Sequence, residues 1–496
     1  MSIAIKINPK DNVAVALTDL SKGTKVDIGD RSIILAQELR RGHKFSLTEI
    51  KRGEDVIKYG FPIGHATQDI PCGSVVHSHN IKTNLDTASN HYTYSQKLDL
   101  APAIGKKFTF MGYKRSSGEA GIRNELWIIP TVGCINGIGE HIAKRFREQT
   151  GEVYADNINV LKHDYGCSQL GDDLSNTRKV LADLVKHPNA GGVLVLSLGC
   201  ENNTLPEFKE LLGDYDQTRV RFLRAQDAGD EIAAGAQLLA ELNEQMKQDK
   251  REELPLSALR VGLKCGGSDG LSGITANPLI GRFTDFITAQ GGTAVLTEVP
   301  EMFGAETILM ERAKDEAVFD KTVHLINNFK QYFISNGQPV YENPSPGNKE
   351  GGITTLEEKA LGCTQKSGNA VVTDVLKYGD RLSQNGLNLL SAPGNDLVAS
   401  SALAAAGCQL VLFSTGRGTP FGTVVPTLKI STNTPLYEAK SNWIDFNAGS
   451  LIEGKEMNTL LEGLSSLVLE TASGKQAHNE TNGFRDLAIW KTGVTL

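Results

Sequence analysis

The chain has 496 residues (53.5 kDa), a formal net charge of −7 and a pI near 5.9, with 40% hydrophobic and 22% charged residues. This is more than one hydrophobic core usually serves, so two or three domains are expected. The acidic balance without a basic stripe speaks against a nucleic-acid partner, and no apolar run nears the roughly 18 residues that cross a bilayer.

The opening MSIAIKINPKDN lacks the charged-then-apolar layout of a signal, so a cytoplasmic location is expected. Residues 1–84 read as β-rich. VAVAL, KVDI, FSLTEI and VIKYG are short strand candidates separated by SKGT, RRG and KRGED turns. A polar linker is expected over 85–105.

From 106 to 250 the pattern becomes strand, Gly-Cys turn, helix. LWIIPTVGC precedes a helical stretch with Ile138, Ile142 and Phe146 on one face; VLVLSLGC precedes TLPEFKELL, where Thr204 and Glu207 have capping-box spacing. Cys134, Cys167 and Cys200 lie 33 residues apart, an interval suited to one βα unit. The charged stretch KQDKREELPLSALR joins this region to a C-terminal α/β domain over 256–496, with strand candidates RVGLKCG, TAVLTEV and QLVLFST. A long Gly/Pro-rich stretch over 343–368 reads as a loop of the kind that lines sites. The seven cysteines are an odd number without CxxC, so they are expected as thiols, with no local zinc or ferredoxin signature.

In open α/β sheets, ligands bind beyond the carboxyl ends of the strands. KCGGSDG (264–270), GCENN (199–203), TEVPEMFG (297–304), APGND (392–396) and STGRGTPFG (414–422) all fall at such ends, so one convergent site for a small polar anion is expected. In HSHN (77–80), a strand would turn His77 and His79 to the same side, as a divalent metal needs. Glu298, Glu301 and Asp269 read equally well as metal ligands, general bases or solvated turn carboxylates. Lys264, Lys349, Lys366, Arg123 and Arg417 are candidate carboxylate binders. No dinucleotide or P-loop fingerprint is present.

RGHKF (41–45), IKYGFPIG (57–64), HSHN with IKTNL, RNELWIIPTVGC (123–134), YGCSQLGDD (165–173), LGCENN (198–203), KCGGSDGLSGITANP (264–278), LTEVPEMFGAE (296–306), NPSPGNKEGGITTLEEKALGCTQK (343–366), SAPGND (391–396) and STGRGTP (414–420) together resemble the family of altronate and galactarate dehydratases. The resemblance covers nearly the whole chain. It implies a multidomain α+β and α/β architecture, with a small SAF-type, β-clip-like domain at the N-terminus followed by α/β domains.

It also implies a hydro-lyase converting D-altronate to 2-dehydro-3-deoxy-D-gluconate in hexuronate breakdown, dependent on Fe2+ with Mn2+ as a substitute. The partner is then a small aldonate, and assembly into a homo-oligomer stays open. On that reading His77 and His79 hold the metal, and Glu298, Glu301 or Asp269 transfers the proton, with His43 as an alternative base. Asn80, Arg123, Glu201, Asn202, Lys264, Ser268, Lys349 and Arg417 are expected around the substrate. Three alternatives stay open: another acid such as galactarate or a sulfo-acid, an iron–sulfur dehydratase using Cys134, Cys167 and Cys200 or other cysteines, and a non-catalytic sugar-acid binder.

Overall fold

The N-terminal strands form where short apolar runs alternate with glycine turns. In a computed structural model that describes residues 2–85, 91–99 and 105–496, they include Val13–Ala16, Lys25–Ile28, Lys44–Ser46 and Asp55–Lys58. They assemble into a four-stranded sheet, a hairpin and a three-stranded sheet around two small apolar clusters. Part of the expected linker lies outside the described residues. Its residues 91–99 run along the C-terminal domain, where Lys97 N donates to Glu311 O at 2.7 Å and Tyr92 Oη to Glu306 Oε1 at 2.6 Å.

The second region is a parallel sheet in the order Ile158–Val160, Glu125–Pro130, Ala190–Ser197, Val220–Arg224. Leu126 to Ile129 are all buried, as expected of a parallel strand covered on both faces. Helices Asn136–Gln149 and Glu231–Met246 close one face; Gly171–Val185 and Leu205–Leu212 close the other and pack onto the C-terminal domain. The Thr204 hydroxyl bonds the Glu207 carboxylate at 3.0 Å and caps no backbone N–H, so the expected capping box is absent. The charged joining stretch contributes a strand, Glu252–Pro255, antiparallel to Thr109–Gly112.

The C-terminal sheet has seven parallel strands: Val372–Leu376, Gly386–Leu390, Thr293–Leu296, Arg260–Cys265, Leu410–Thr415, Thr427–Ser431 and Phe446–Asn447. The chain starts on Arg260–Cys265, builds outward on one side, then crosses to Leu410–Thr415 on the other. That reversal makes a topological switch point beside Cys265. The 343–368 stretch is partly helical, over Pro346–Glu350 and Leu356–Thr364, because Ser345 caps Asn348 and Thr355 caps Glu358.

The helix Leu356–Thr364 also anchors the N-terminal domain. Glu358 Oε2 lies 2.9 Å from Lys44 Nζ and Oε1 lies 2.8 Å from Lys58 Nζ, all three side chains buried. Among the described residues, no helix is long and apolar enough to cross a membrane.

Candidate active site

Four of the five glycine-bearing turns converge at the switch point. The carboxyl ends of Arg260–Cys265, Thr293–Leu296, Gly386–Leu390 and Leu410–Thr415 border one cavity of about 480 Å³, lined by Cys265, Gly266, Gly267, Glu301, Gly394, Asn395, Asp396 and Arg417. Asn343, Ser345, Gly347, Asn348 and Lys359 close it from the 343–368 stretch. Its size is in the range of small-molecule sites. The fifth turn, GCENN, belongs to the second domain's sheet. There Glu201 accepts Thr131 Oγ1 and Ser197 Oγ at 2.6 Å each, and Asn202 Oδ1 accepts Ser168 N, so both residues tie loops together away from this cavity.

A dense set of charges underlies the cavity. Lys264 Nζ contacts Glu298 Oε1 and lies 2.9 Å from Asp396 Oδ1; Lys359 Nζ lies 2.7 Å from Glu301 Oε1. Lys366 Nζ lies 2.9 Å from Cys265 Sγ and 3.4 Å from Glu298 Oε2. Glu301 Oε2 is 3.2 Å from Cys265 Sγ and 3.0 Å from Cys363 Sγ, and the two sulfurs are 3.4 Å apart. Glu298 sits in the left-handed region at φ 69°, a conformation that non-glycine residues rarely adopt and that is stored most often at functional sites.

Five acids thus face three lysines, all of them buried except Asp396, which is partly open to the cavity. The hydrogen bond with Cys363 and the Lys366 and Lys264 ammoniums outweigh burial and hold Cys265 down at about 6. The same hydrogen bond, with burial, drives Cys363 well above the usual thiol range. Burial and the charges of Cys265 and Glu301 push Glu298 well up, whereas Lys359, Lys264 and Lys366 overcome burial to hold Glu301 well below the carboxylate range. The acids outnumber the ammoniums by two, and Glu298 and Cys363 are the two whose proton affinity is raised most.

Cys265, Glu301 and Cys363 bring three donor atoms within 4.8 Å of one another, alone in this among the described residues. Two sulfurs and a carboxylate suit a divalent transition metal. Such an ion would displace protons, because ligands bind metal in their deprotonated forms. The donor chemistry and the surplus acidity therefore fit a bound cation.

The structure places the other expected residues as follows. HSHN forms a turn rather than a strand, so the alternation that would align His77 with His79 is absent. His77 is half-buried, stacks on His43 with centroids 5.4 Å apart, and bonds Lys349 O through Nε2 at 2.9 Å; His79 is exposed. Burial lowers both His43 and His77 below the usual imidazole value. Asn80 holds that turn closed by accepting His77 N and donating to Val75 O.

Asp269 is fully engaged: Oδ1 accepts Leu271 N and Ser272 Oγ, and Oδ2 accepts Thr432 Oγ1 at 2.9 Å. It and Ser268, whose carbonyl accepts Asn348 Nδ2, lie beside a small void bordered by Lys58 and Tyr59, behind the main cavity. Arg123 is buried in an ion pair with Glu480 and in bonds to the carbonyls of Ile122, Thr471 and Lys475, which makes it a structural tie. Arg417 reaches the cavity rim and pairs with Glu350 at 3.0 Å.

Sequence reading missed Cys265, Cys363, Lys359 and Asp396 as site residues. The turns KCGGSDG and APGND contained Cys265 and Asp396 without singling them out, and the Asn395-Asp396 helix start signalled the latter. A cavity of about 550 Å³ between the second and C-terminal domains is larger, but its Arg115 and Arg219 are paired with Asp249 and its Arg381 with Glu119.

Three family models tile the chain: the altronate/galactarate dehydratase SAF domain over residues 2–84, the D-galactarate dehydratase/altronate hydrolase second domain over 112–247, and the D-galactarate/altronate dehydratase C-terminal domain over 256–495. The chain is 59% identical to an altronate dehydratase of Bacillus subtilis over 498 residues, covering all of both chains. It is 58% identical to an altronate dehydratase of Escherichia coli, covering 99% of both. A galactarate dehydratase (L-threo-forming) of Escherichia coli is 32% identical, over 95% of this chain and 93% of that protein.

Proposed function

The chain belongs to the altronate and galactarate dehydratase family, and on that premise we propose that it is a hydro-lyase that dehydrates D-altronate to 2-dehydro-3-deoxy-D-gluconate. The observation that carries this reading is the cavity at the switch point, where anion-binding, acidic and ammonium groups surround one small-molecule volume. Full-length identity near 59% to altronate dehydratases, against 32% to the galactarate enzyme, favours altronate over galactarate. A place in hexuronate breakdown in the cytoplasm follows from the same substrate.

The reaction removes the C2 proton beside a carboxylate and expels the 3-hydroxyl. Arg417 and the backbone amide of Gly267, both on the cavity lining, are assigned to the substrate carboxylate. Asp396 borders the cavity, with Oδ1 on Lys264 and Oδ2 lying against Gly266, and is assigned as the base at C2. Lys359 is held as an ammonium by Glu301, against the effect of burial, and is assigned as proton donor to the leaving hydroxyl. General acid and base groups of this kind each contribute on the order of 10² to 10⁴ in rate.

Fe2+, or Mn2+ in its stead, is proposed at Cys265, Glu301 and Cys363 rather than at His77 and His79. An ion held there would supply Lewis-acid stabilisation of charge on the substrate.

The test is a comparison of kcat/KM for D-altronate and galactarate, following the 2-keto acid. Altronate is expected to be preferred by at least about 100-fold, or roughly 2.7 kcal/mol of transition-state discrimination. Equal use of the two acids, or preference for galactarate, would reject the substrate assignment.

A further inference from the structure

We infer that the second domain carries a three-thiol seat for an iron–sulfur cluster, built by Cys134, Cys167 and Cys200. Each follows a glycine in the loop that leaves the carboxyl end of a strand of the parallel sheet: Glu125–Pro130, Ile158–Val160 and Ala190–Ser197. All three thiols are free and exposed. Cysteine is among the most buried residue types, so three exposed thiols on one end of one sheet have no packing explanation.

The loops that carry them are bound into one unit. Gly133 N donates to Tyr165 O at 2.8 Å, Asn203 N to Gly166 O at 2.9 Å, and Ser168 N to Asn202 Oδ1 at 2.8 Å. Asn203 Nδ2 donates to Thr131 O, and the buried Glu201 carboxylate collects Thr131 Oγ1, Ser197 Oγ and Gly199 N. Gly166 has φ 102°, and a Cβ there would stand 2.0 Å from Thr131 O, so the first two loops meet closer than any side chain permits. The middle loop is thereby pressed between its two neighbours, and the thiol of each loop is left outward.

Soft thiolates select zinc, copper(I) or iron–sulfur cores. Among the described residues, only Cys265, Glu301 and Cys363 bring three donors within 4.8 Å, so this trio is set wider than a single tetrahedral ion requires. A zinc ion with bonds near 2.3 Å holds its sulfurs roughly 3.8 Å apart, whereas a cubane spreads its thiolates further. Three thiolates leave one iron without a protein sulfur, facing solvent. Assembly is balanced by two ferrous ions, two ferric ions and four sulfides giving a dicationic core, while the three thiols release their protons to solvent.

The experiment is anaerobic reconstitution of the full chain with equal ferrous and ferric iron and sulfide, followed by desalting. About four iron and four acid-labile sulfides per chain are expected, with broad visible absorbance and loss of thiol-reagent labelling at the three cysteines. Cys134→Ser, Cys167→Ser and Cys200→Ser should each lower bound sulfide at least about fivefold, whereas Cys72→Ser, at another exposed thiol, should not. Cys265→Ser should also leave the sulfide content unchanged, which separates this site from the C-terminal cavity. Wild-type protein that retains no sulfide would overturn the inference. So would sulfide retained by the triple serine variant, or unchanged labelling of the three thiols in loaded protein.

Discussion

Replacing Glu358 by Gln tests how the N-terminal domain is held against the catalytic one. Its carboxylate lies 2.9 and 2.8 Å from two buried ammoniums and also accepts Thr354 N and Oγ1 at 2.8 and 2.7 Å. At an effective dielectric near 20, each pair attracts by ~6 kcal/mol before desolvation, and desolvation removes several kcal/mol per ion. The amide keeps one acceptor but turns its NH2 toward an ammonium, leaving a buried charge without its counter-ion. Breaking a buried pair in this way costs about 3–5 kcal/mol.

Hydrogen exchange in Lys44–Ser46 and Asp55–Lys58 reads this directly, since each ~1.4 kcal/mol is tenfold: opening should increase by on the order of 10² to 10³-fold. The sign with pH also follows. Burial opposes the charge on Glu358, but Lys44 and Lys58 hold its carboxyl well below the ordinary range. The stabilisation is thus complete above the unfolded value, about 4.3, and is lost as pH falls through the folded one. The variant should lack this acid limb. Exchange within threefold of wild type at neutral pH would refute the reasoning, as would an unchanged acid limb. Replacing Lys44, Lys58 and Glu358 together by Met, Met and Leu should restore most of the stability.

Gly266→Ala places a Cβ 2.5 Å from both Asp396 Oδ2 and Phe413 Cζ; kcat/KM should fall at least about tenfold with the far-UV spectrum unchanged. Arg417→Ala should raise KM for altronate with little change in kcat, as a steady-state titration would show, because it removes uniform binding. Arg123→Met should lower stability by about 3–5 kcal/mol in denaturant unfolding while leaving KM unchanged, since its guanidinium is committed to Glu480 and three carbonyls.

Strand candidates were legible because parallel strands buried on both faces are continuous apolar runs: RVGLKC, TAVL and QLVLFST lie where hydropathy puts them. The site turns were legible for a related reason, since glycine clusters mark the carboxyl ends where backbones converge. What pattern cannot convey is which sheet a turn belongs to. GCENN has the same local character as APGND but serves a different domain, and Arg123 looks like a carboxylate binder until Glu480, 357 residues away in sequence, is found beside it. Lys359 and Cys363 were hidden because 343–368 reads as loop by its Gly and Pro content, while two side-chain caps turn it into helices that point both residues at Glu301. The His77 and His79 pairing rested on a strand, and the Asn80 side chain makes a turn there instead.

The measurement closest to the central claim is D-altronate turnover and binding by Asp396→Asn beside wild type, anaerobically with ferrous iron present. If Asp396 takes the C2 proton in the switch-point cavity, formation of the 2-keto acid should drop by on the order of 10² to 10⁴, with altronate Kd within about threefold of wild type. Turnover at the wild-type rate would contradict both the base and the placement of the reaction at the switch point.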